Sequence, residues 1–139
     1  MNISKKAEYA IKAVITIARH KQIKPLQISE ISNKASIPVK FLEQILLNLK
    51  NNAILKSKRG ANGGYLLAKA SEDISIGSIL EIIDGPFEPI DLNSANECGP
   101  GLEKCFYDMI KMVDDHLYNF TIQKVLEAEE TENLIAFEI

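Results

Sequence analysis

From Ile3 to His20 the apolar residues Ala7, Ala10, Ile11, Val14, Ile17 and Ala18 recur at helical spacing with lysines between them, which predicts a first amphipathic helix. Lys24-Pro25 ends it. Ile28 and Ile31 mark the inner face of a shorter helix over about 28–35, and Ser36-Ile37-Pro38 predicts a tight turn. Pro38 suits the first position of a third helix, running to about Asn52, because its missing N–H would be unpaired there anyway. Phe41, Leu42, Ile45, Leu46 and Leu49 form the expected buried side of that helix.

The period then changes. Two short segments, Ile54 to Arg59 and Tyr65 to Ala68, flank Gly60-Ala61-Asn62-Gly63-Gly64, which predicts a β-hairpin with a glycine-rich tip. Ser75 is placed to cap a helix from Ile76 to Ile83, closed by Gly85-Pro86. Phe87 to Gly101 reads as a long loop. Leu102, Phe106, Met109, Val113, Leu117 and Phe120 then follow at steps of 4, 3, 4, 4 and 3, the pattern of a helix seam that wants another helix. The N-terminal unit has its own core, so a second copy of the chain is the expected partner. Thr121 is placed to cap a last short helix through Leu126, and the acidic stretch 127–139 has no predicted element.

The expected architecture is mainly α. A winged helix-turn-helix domain occupies residues 1–84, with its β-hairpin as the wing, and a candidate sensor loop occupies 85–101. A dimerisation helix with a short terminal helix spans 102–126, and an acidic tail 127–139.

Charge sharpens this picture. The net charge is −3, but residues 1–69 hold 13 Lys/Arg against 3 Asp/Glu, a balance of +10. Residues 70–139 hold 3 Lys/Arg against 16 Asp/Glu, a balance of −13. A basic half attached to an acidic one points to a polyanionic partner for the first. Three helices and a glycine-tipped hairpin make duplex DNA the expected polyanion, because the third helix can then lie in the major groove. Its exposed N-terminal positions are Val39, Lys40, Glu43 and Gln44: Lys40 for a phosphate or guanine edge, Gln44 for adenine, Glu43 for cytosine N4. Ser29 and Asn33 on the preceding helix are candidates for phosphates. In the hairpin, Lys56, Lys58 and Arg59 lead to the tip, where an arginine suits a narrow minor groove. Gly60, Gly63 and Gly64 complete the candidate DNA-contacting set, the last two expected to let backbone approach phosphate.

These residues also carry a resemblance. Glu8-Tyr9-Ala10, Ile28-Ser29-Glu30-Ile31, Phe41-Leu42-Glu43-Gln44-Ile45-Leu46 and, above all, the block from Ser57 to Leu67 (SKRGANGGYLL) resemble the Rrf-two family of winged helix-turn-helix transcriptional regulators. The likeness continues through Ile82-Ile83-Asp84-Gly85-Pro86 and covers about residues 1–126. It implies a homodimeric regulator, expected to act as a repressor, that binds imperfect palindromes in double-stranded DNA with its long helices crossed between subunits.

Sensor members of that family hold an iron–sulfur cluster on three loop cysteines. This chain has two cysteines, Cys98 and Cys105, at the second and third positions; near the first, Asp91 to Asn93, there is none. Where some members have a completing histidine stands Asp108, and Glu8 stands where others supply a carboxylate from the partner chain. The resemblance thus implies two thiolates with carboxylates from Glu8, Asp91 or Asp108, although hard oxygen ligands are poor substitutes for thiolate on iron. Three readings stay open: a cluster with incomplete thiolate ligation, a cluster-free thiol switch, and cysteines with no sensing role.

Other classes fit less well. There is no nucleophile–base–acid set, and no Lys-Ser/Thr follows the glycines to make a phosphate loop, so an enzyme is not expected. No apolar run is long enough to span a bilayer and no signal peptide opens the chain, which predicts a cytoplasmic protein without a membrane partner. The alternative function is a winged module that binds proteins, or one controlled by a regulatory protein partner without cluster sensing.

Overall fold

The computed structural model describes residues 2–20, 24–87 and 99–138. Helix α1 spans Lys5–Arg19, α2 Ile28–Ala35 and α3 Val39–Asn51; strands β1 (Leu55–Lys58) and β2 (Gly64–Leu67) follow. A 3-10 turn at Ser71–Asp73 leads to α4 (Ile76–Asp84), α5 (Pro100–Asn119) and α6 (Ile122–Glu138). The order is that of a winged helix with two further helices behind it, as the sequence pattern leads one to expect.

Helix α1 is the central beam. Its buried positions include Ala7, Ala10, Ala13, Val14 and Ile17, and the small side chains let neighbouring helices come close. Ser4 starts the helix by accepting from the Ala7 N–H at 3.0 Å. The same residue is bound to the end of α4: its backbone N–H donates to Asp84 Oδ2 at 3.0 Å, and its hydroxyl donates to Oδ1. Leu26, Ile31, Leu42, Ile45, Leu46, Leu49, Ile74, Ile79 and Ile122 complete one continuous core around the beam.

The turn between α2 and α3 is built without glycine. Ser36 takes the left-handed conformation (φ 55°, ψ 47°) that ends α2. Ile37 is then pinned inward, its N–H bonded to Ser32 O at 3.1 Å and its carbonyl accepting from the Ser32 hydroxyl at 2.6 Å. Pro38 falls one residue outside α3 rather than at its first position. Its extended backbone (ψ 132°) presents a carbonyl that accepts from the Phe41 and Leu42 N–H groups. The expected buried side of α3 also needs one correction: Leu42, Ile45, Leu46 and Leu49 are buried, but Phe41 is 53% exposed. It sits on the flank of the helix, against Tyr9 of α1, with ring centroids 6.3 Å apart.

The hairpin pairs Leu55 with Leu67 and Lys58 with Gly64. It does not stand alone. Leu26, just before α2, bridges to Tyr65 through reciprocal backbone hydrogen bonds of 3.0 and 2.8 Å, adding a one-residue third strand. Gly64 (φ +147°) is the point of closest approach: a Cβ there would lie 2.3 Å from the Leu26 carbonyl oxygen. The wing root is therefore fixed to the start of the helix-turn-helix.

Behind this unit, α5 has no buried residue. Leu102, Phe106, Val113, Leu117 and Phe120 are half-exposed and Met109 is exposed, so the predicted seam is only partly covered by the described residues. Tyr118 ties α5 to α4 through a hydrogen bond to Glu81. The last helix differs most from expectation. Instead of a short helix followed by an unassigned acidic tail, α6 runs on to Glu138. No Gly or Pro interrupts residues 121–139, and Glu, Ala and Leu are strong helix formers. Its start is held by Ile122, buried with its N–H on Ile74 O at 2.8 Å, and further along Arg19 Nε of α1 donates to Glu129 at 3.0 Å.

Candidate nucleic-acid interface

Helix α3 has two sides of opposite chemistry. With Leu42, Ile45, Leu46 and Leu49 turned into the core, the side chains of Lys40, Glu43 and Gln44 project into solvent, and Val39 is 42% exposed at the first turn. That outcome follows from the 3.6-residue period: positions half a turn from a buried row cannot be buried on the same surface.

The wing closes on one flank of this helix. A concave surface forms between the start of α2, the side of α3 and the hairpin, lined by Gln27, Ile28, Ser29, Glu43, Ser57, Lys58, Arg59, Gly60, Gly63, Gly64 and Tyr65. Ser29, Glu43, Lys58, Arg59 and the three glycines of the sequence-predicted set are thus brought together. Val39, Lys40 and Gln44 lie outside this concavity on the outer side of α3, Lys56 is exposed on β1, and Asn33 is exposed on α2. Gln27 Nε2 donates to the Ala61 carbonyl at 3.3 Å, tying the hairpin tip to the same corner.

Two of the glycines take a different role from the expected one. At Gly63 a Cβ would meet Lys58 O at 2.4 Å, and at Gly64 it would meet the backbone of Leu26. The space they leave free is filled by the protein's own main chain, so glycine is required at both positions to build the hairpin. Gly60 (φ +110°) has nothing within 4 Å and does face open space.

The basic side chains of this face are unencumbered. Among the described residues the ion pairs involve Lys5 and Lys12 with Glu8, Arg19 with Glu129, and Lys104 with Asp108. Lys40, Lys56, Lys58 and Arg59 take part in none of these. A second group on α3 is absent from the sequence-predicted set: the exposed Phe41 with the half-buried Tyr9, whose ring carries Lys5 Nζ 5.2 Å above its centre. Its signal in the sequence is weak, because Phe41 fits an apolar helix row nearly as well as Leu42 does.

Among the described residues the predicted metal ligands are not brought together. Cys98 and Asp91 lie outside the described residues. Cys105 is free and exposed on α5. Asp108, one turn on, is held by Lys104 at 2.7 Å, an interaction that raises the lysine's pKa. Glu8 is engaged by Lys12 at 3.1 Å and Lys5 at 3.3 Å, which hold its carboxyl below the usual range. Among the described residues no group of three His, Cys, Asp or Glu side chains could hold a metal ion. The donors described are thus one thiol, Cys105, and two carboxylates engaged by lysines. No helix of the described residues is long and apolar enough to cross a membrane.

A family model described as "Rrf2: Iron-dependent Transcriptional regulator" matches residues 3–128. The HTH-type transcriptional regulator IscR of Erwinia tasmaniensis is 29% identical over 135 residues, covering 94% of this chain and 81% of its own. Among solved structures, that of CymR, the global cysteine regulator of B. subtilis, superposes with a TM-score of 0.84 at 25% identity, covering 92% of this chain and 98% of that one. T. potens IscR superposes with a TM-score of 0.78 at 25% identity, covering 95% and 90% respectively.

Proposed function

The chain belongs to the Rrf2 family of transcriptional regulators, and on that premise we propose that it is a homodimeric repressor of the cytoplasm that reads a palindromic DNA operator. One observation carries the reading: the wing closes on the flank of α3 around a concavity that holds Ser29, Glu43, Lys58 and Arg59 on the basic half of the chain, beside the exposed Lys40 and Gln44. In this reading the first turns of α3 enter the major groove. Lys40 meets a phosphate or guanine edge, Glu43 accepts from cytosine N4, and Gln44 pairs with adenine. Ser29 sets the register on a phosphate, while Lys56 and Lys58 follow the backbone and Arg59 enters the adjacent minor groove. The partly exposed apolar seam of α5 supports pairing with a second copy, which would set two reading heads on half-sites about one helical turn apart.

Two substitutions separate the roles. Arg59→Ala should lower affinity for a selected operator about tenfold or more, while Gln44→Ala should change which base is preferred at one position of each half-site. Fluorescence anisotropy with operator variants reads both. Unchanged isotherms for both proteins would remove the assigned reading surfaces.

The regulatory input is assigned to Cys98 and Cys105 as a thiol pair. The exposure of Cys105, and two cysteines where the cluster-holding pattern has three, support this over a cluster. Oxidation would form one S–S bond, the two thiols giving up two protons and two electrons to a peroxide or a small disulfide. Operator affinity should then differ several-fold between oxidised and reduced protein, and the difference should vanish in Cys98→Ser/Cys105→Ser. A brown, anaerobically purified sample with a visible charge-transfer band would instead assign the input to a cluster.

A further inference from the structure

The outer side of α3 carries a leucine that the core does not use. Leu47 is 54% exposed and belongs neither to the buried core nor to the half-buried shell packed against it. A lone exposed leucine is ordinary. Its position is not. Lys40, Gln44 and Leu47 follow one another at i, i+4 and i+7, so they form a single stripe opposite the buried leucines. Val39, also exposed and outside the core, precedes that stripe along the helix, about 100° around the axis from Lys40. The polar reading positions are therefore bracketed by two aliphatic side chains.

Within the DNA-reading interpretation of this face, on which the inference rests, we propose that Leu47 is a specificity-determining residue that reads the C5-methyl group of a thymine in the major groove. The occupant follows from chemistry. Lys40 on the same stripe, with Lys58 and Arg59 on the wing, sets a cationic surround that suits a duplex and opposes a basic protein partner. On the major-groove edge of the base pairs the thymine methyl is the apolar group that a leucine can cover, and no hydrogen bond is available to this side chain. Removing one methyl from such a contact should cost about fourfold in affinity, equivalent to about 0.8 kcal/mol.

The full-length protein is used to enrich duplexes from a random pool. Each thymine of the enriched half-site is then replaced by deoxyuridine, which deletes the methyl and leaves the pairing edge intact. Wild type should lose about fourfold in affinity at one thymine per half-site. Leu47→Met should keep that loss, and Leu47→Ala and Leu47→Gln should be indifferent to the replacement. If Leu47→Ala and Leu47→Gln retain the wild-type methyl response, or wild type shows none at any thymine, the inference is overturned while the DNA-reading assignment stands. If wild type enriches no duplex at all, both fall.

Discussion

Raising the salt concentration from about 50 to about 200 mM should weaken operator binding by roughly a thousandfold. Each protein cation that neutralises a phosphate releases condensed counterions, and log K falls with log salt at a slope of about −0.9 per contact. The face described above offers Lys40, Lys56, Lys58 and Arg59, all exposed and all outside the ion pairs found among the described residues. Two protomers would double that set, and about six realised contacts give a loss of about 10³ over this range. The lysines already engaged within the fold should matter less. Lys12, held by Glu8 at 3.1 Å, is such a case, and Lys12→Ala should leave the slope nearly unchanged. A titration of affinity against salt decides the matter. A slope shallower than about −2 would mean that the +10 half is a solvated surface and that this concavity does not seat a phosphate backbone.

The basis of that expectation could be seen in the sequence because it depends on local signals. Helical spacing in α1 and α3, the glycine cluster at the wing tip and the Ser75 cap each sit within a few residues of the structure they specify; Ser75 does accept from the Ser78 N–H at 3.0 Å. The exposed positions Lys40, Glu43 and Gln44 follow from the buried row beside them. What the sequence left unread depends on contacts between distant segments. Phe41 differs from Leu42 only in which flank of α3 it occupies, and Tyr9, which draws it outward, is 32 positions away. The continuation of α6 beyond Leu126 lacks a strong apolar stripe to announce it. Its anchors are Ile122 against Ile74 and Arg19 on Glu129, neither of which has a periodic signature. The roles of Gly63 and Gly64 were likewise hidden, because a glycine that admits a ligand and one that admits the protein's own backbone look alike in sequence.

That last distinction leads to a large stability effect expected from one added methyl group. Gly64→Ala would place a Cβ 2.3 Å from Leu26 O and 2.5 Å from its carbonyl carbon, at a φ of +147° that side-chain-bearing residues rarely adopt. The obstruction is backbone on both sides, so no rotamer change relieves it. Either the alanine keeps its place at a strain of about 1–3 kcal/mol, or the wing root separates from residue 26. Separation gives up the reciprocal Leu26–Tyr65 hydrogen bonds, worth about 1 kcal/mol each, and loosens Leu26, which is fully buried in the core. A net loss of about 3 kcal/mol is expected, which for a chain of this size lowers the melting temperature by about 10 °C. Gly60→Ala provides the control. Its φ of +110° carries strain of the same origin, but nothing lies within 4 Å of its Cβ, so it should lose only a few degrees. Since Lys58 pairs with Gly64 across the hairpin, a displaced root would also misdirect Lys58 and Arg59. Gly64→Ala should therefore bind operator weakly even well below its melting point. Thermal melts followed by circular dichroism, paired with anisotropy at 10 °C, test both halves of this argument. If Gly64→Ala melts within about 2 °C of wild type, the wing is not held by the bridge to Leu26, and the rigid placement of Arg59 loses its structural cause.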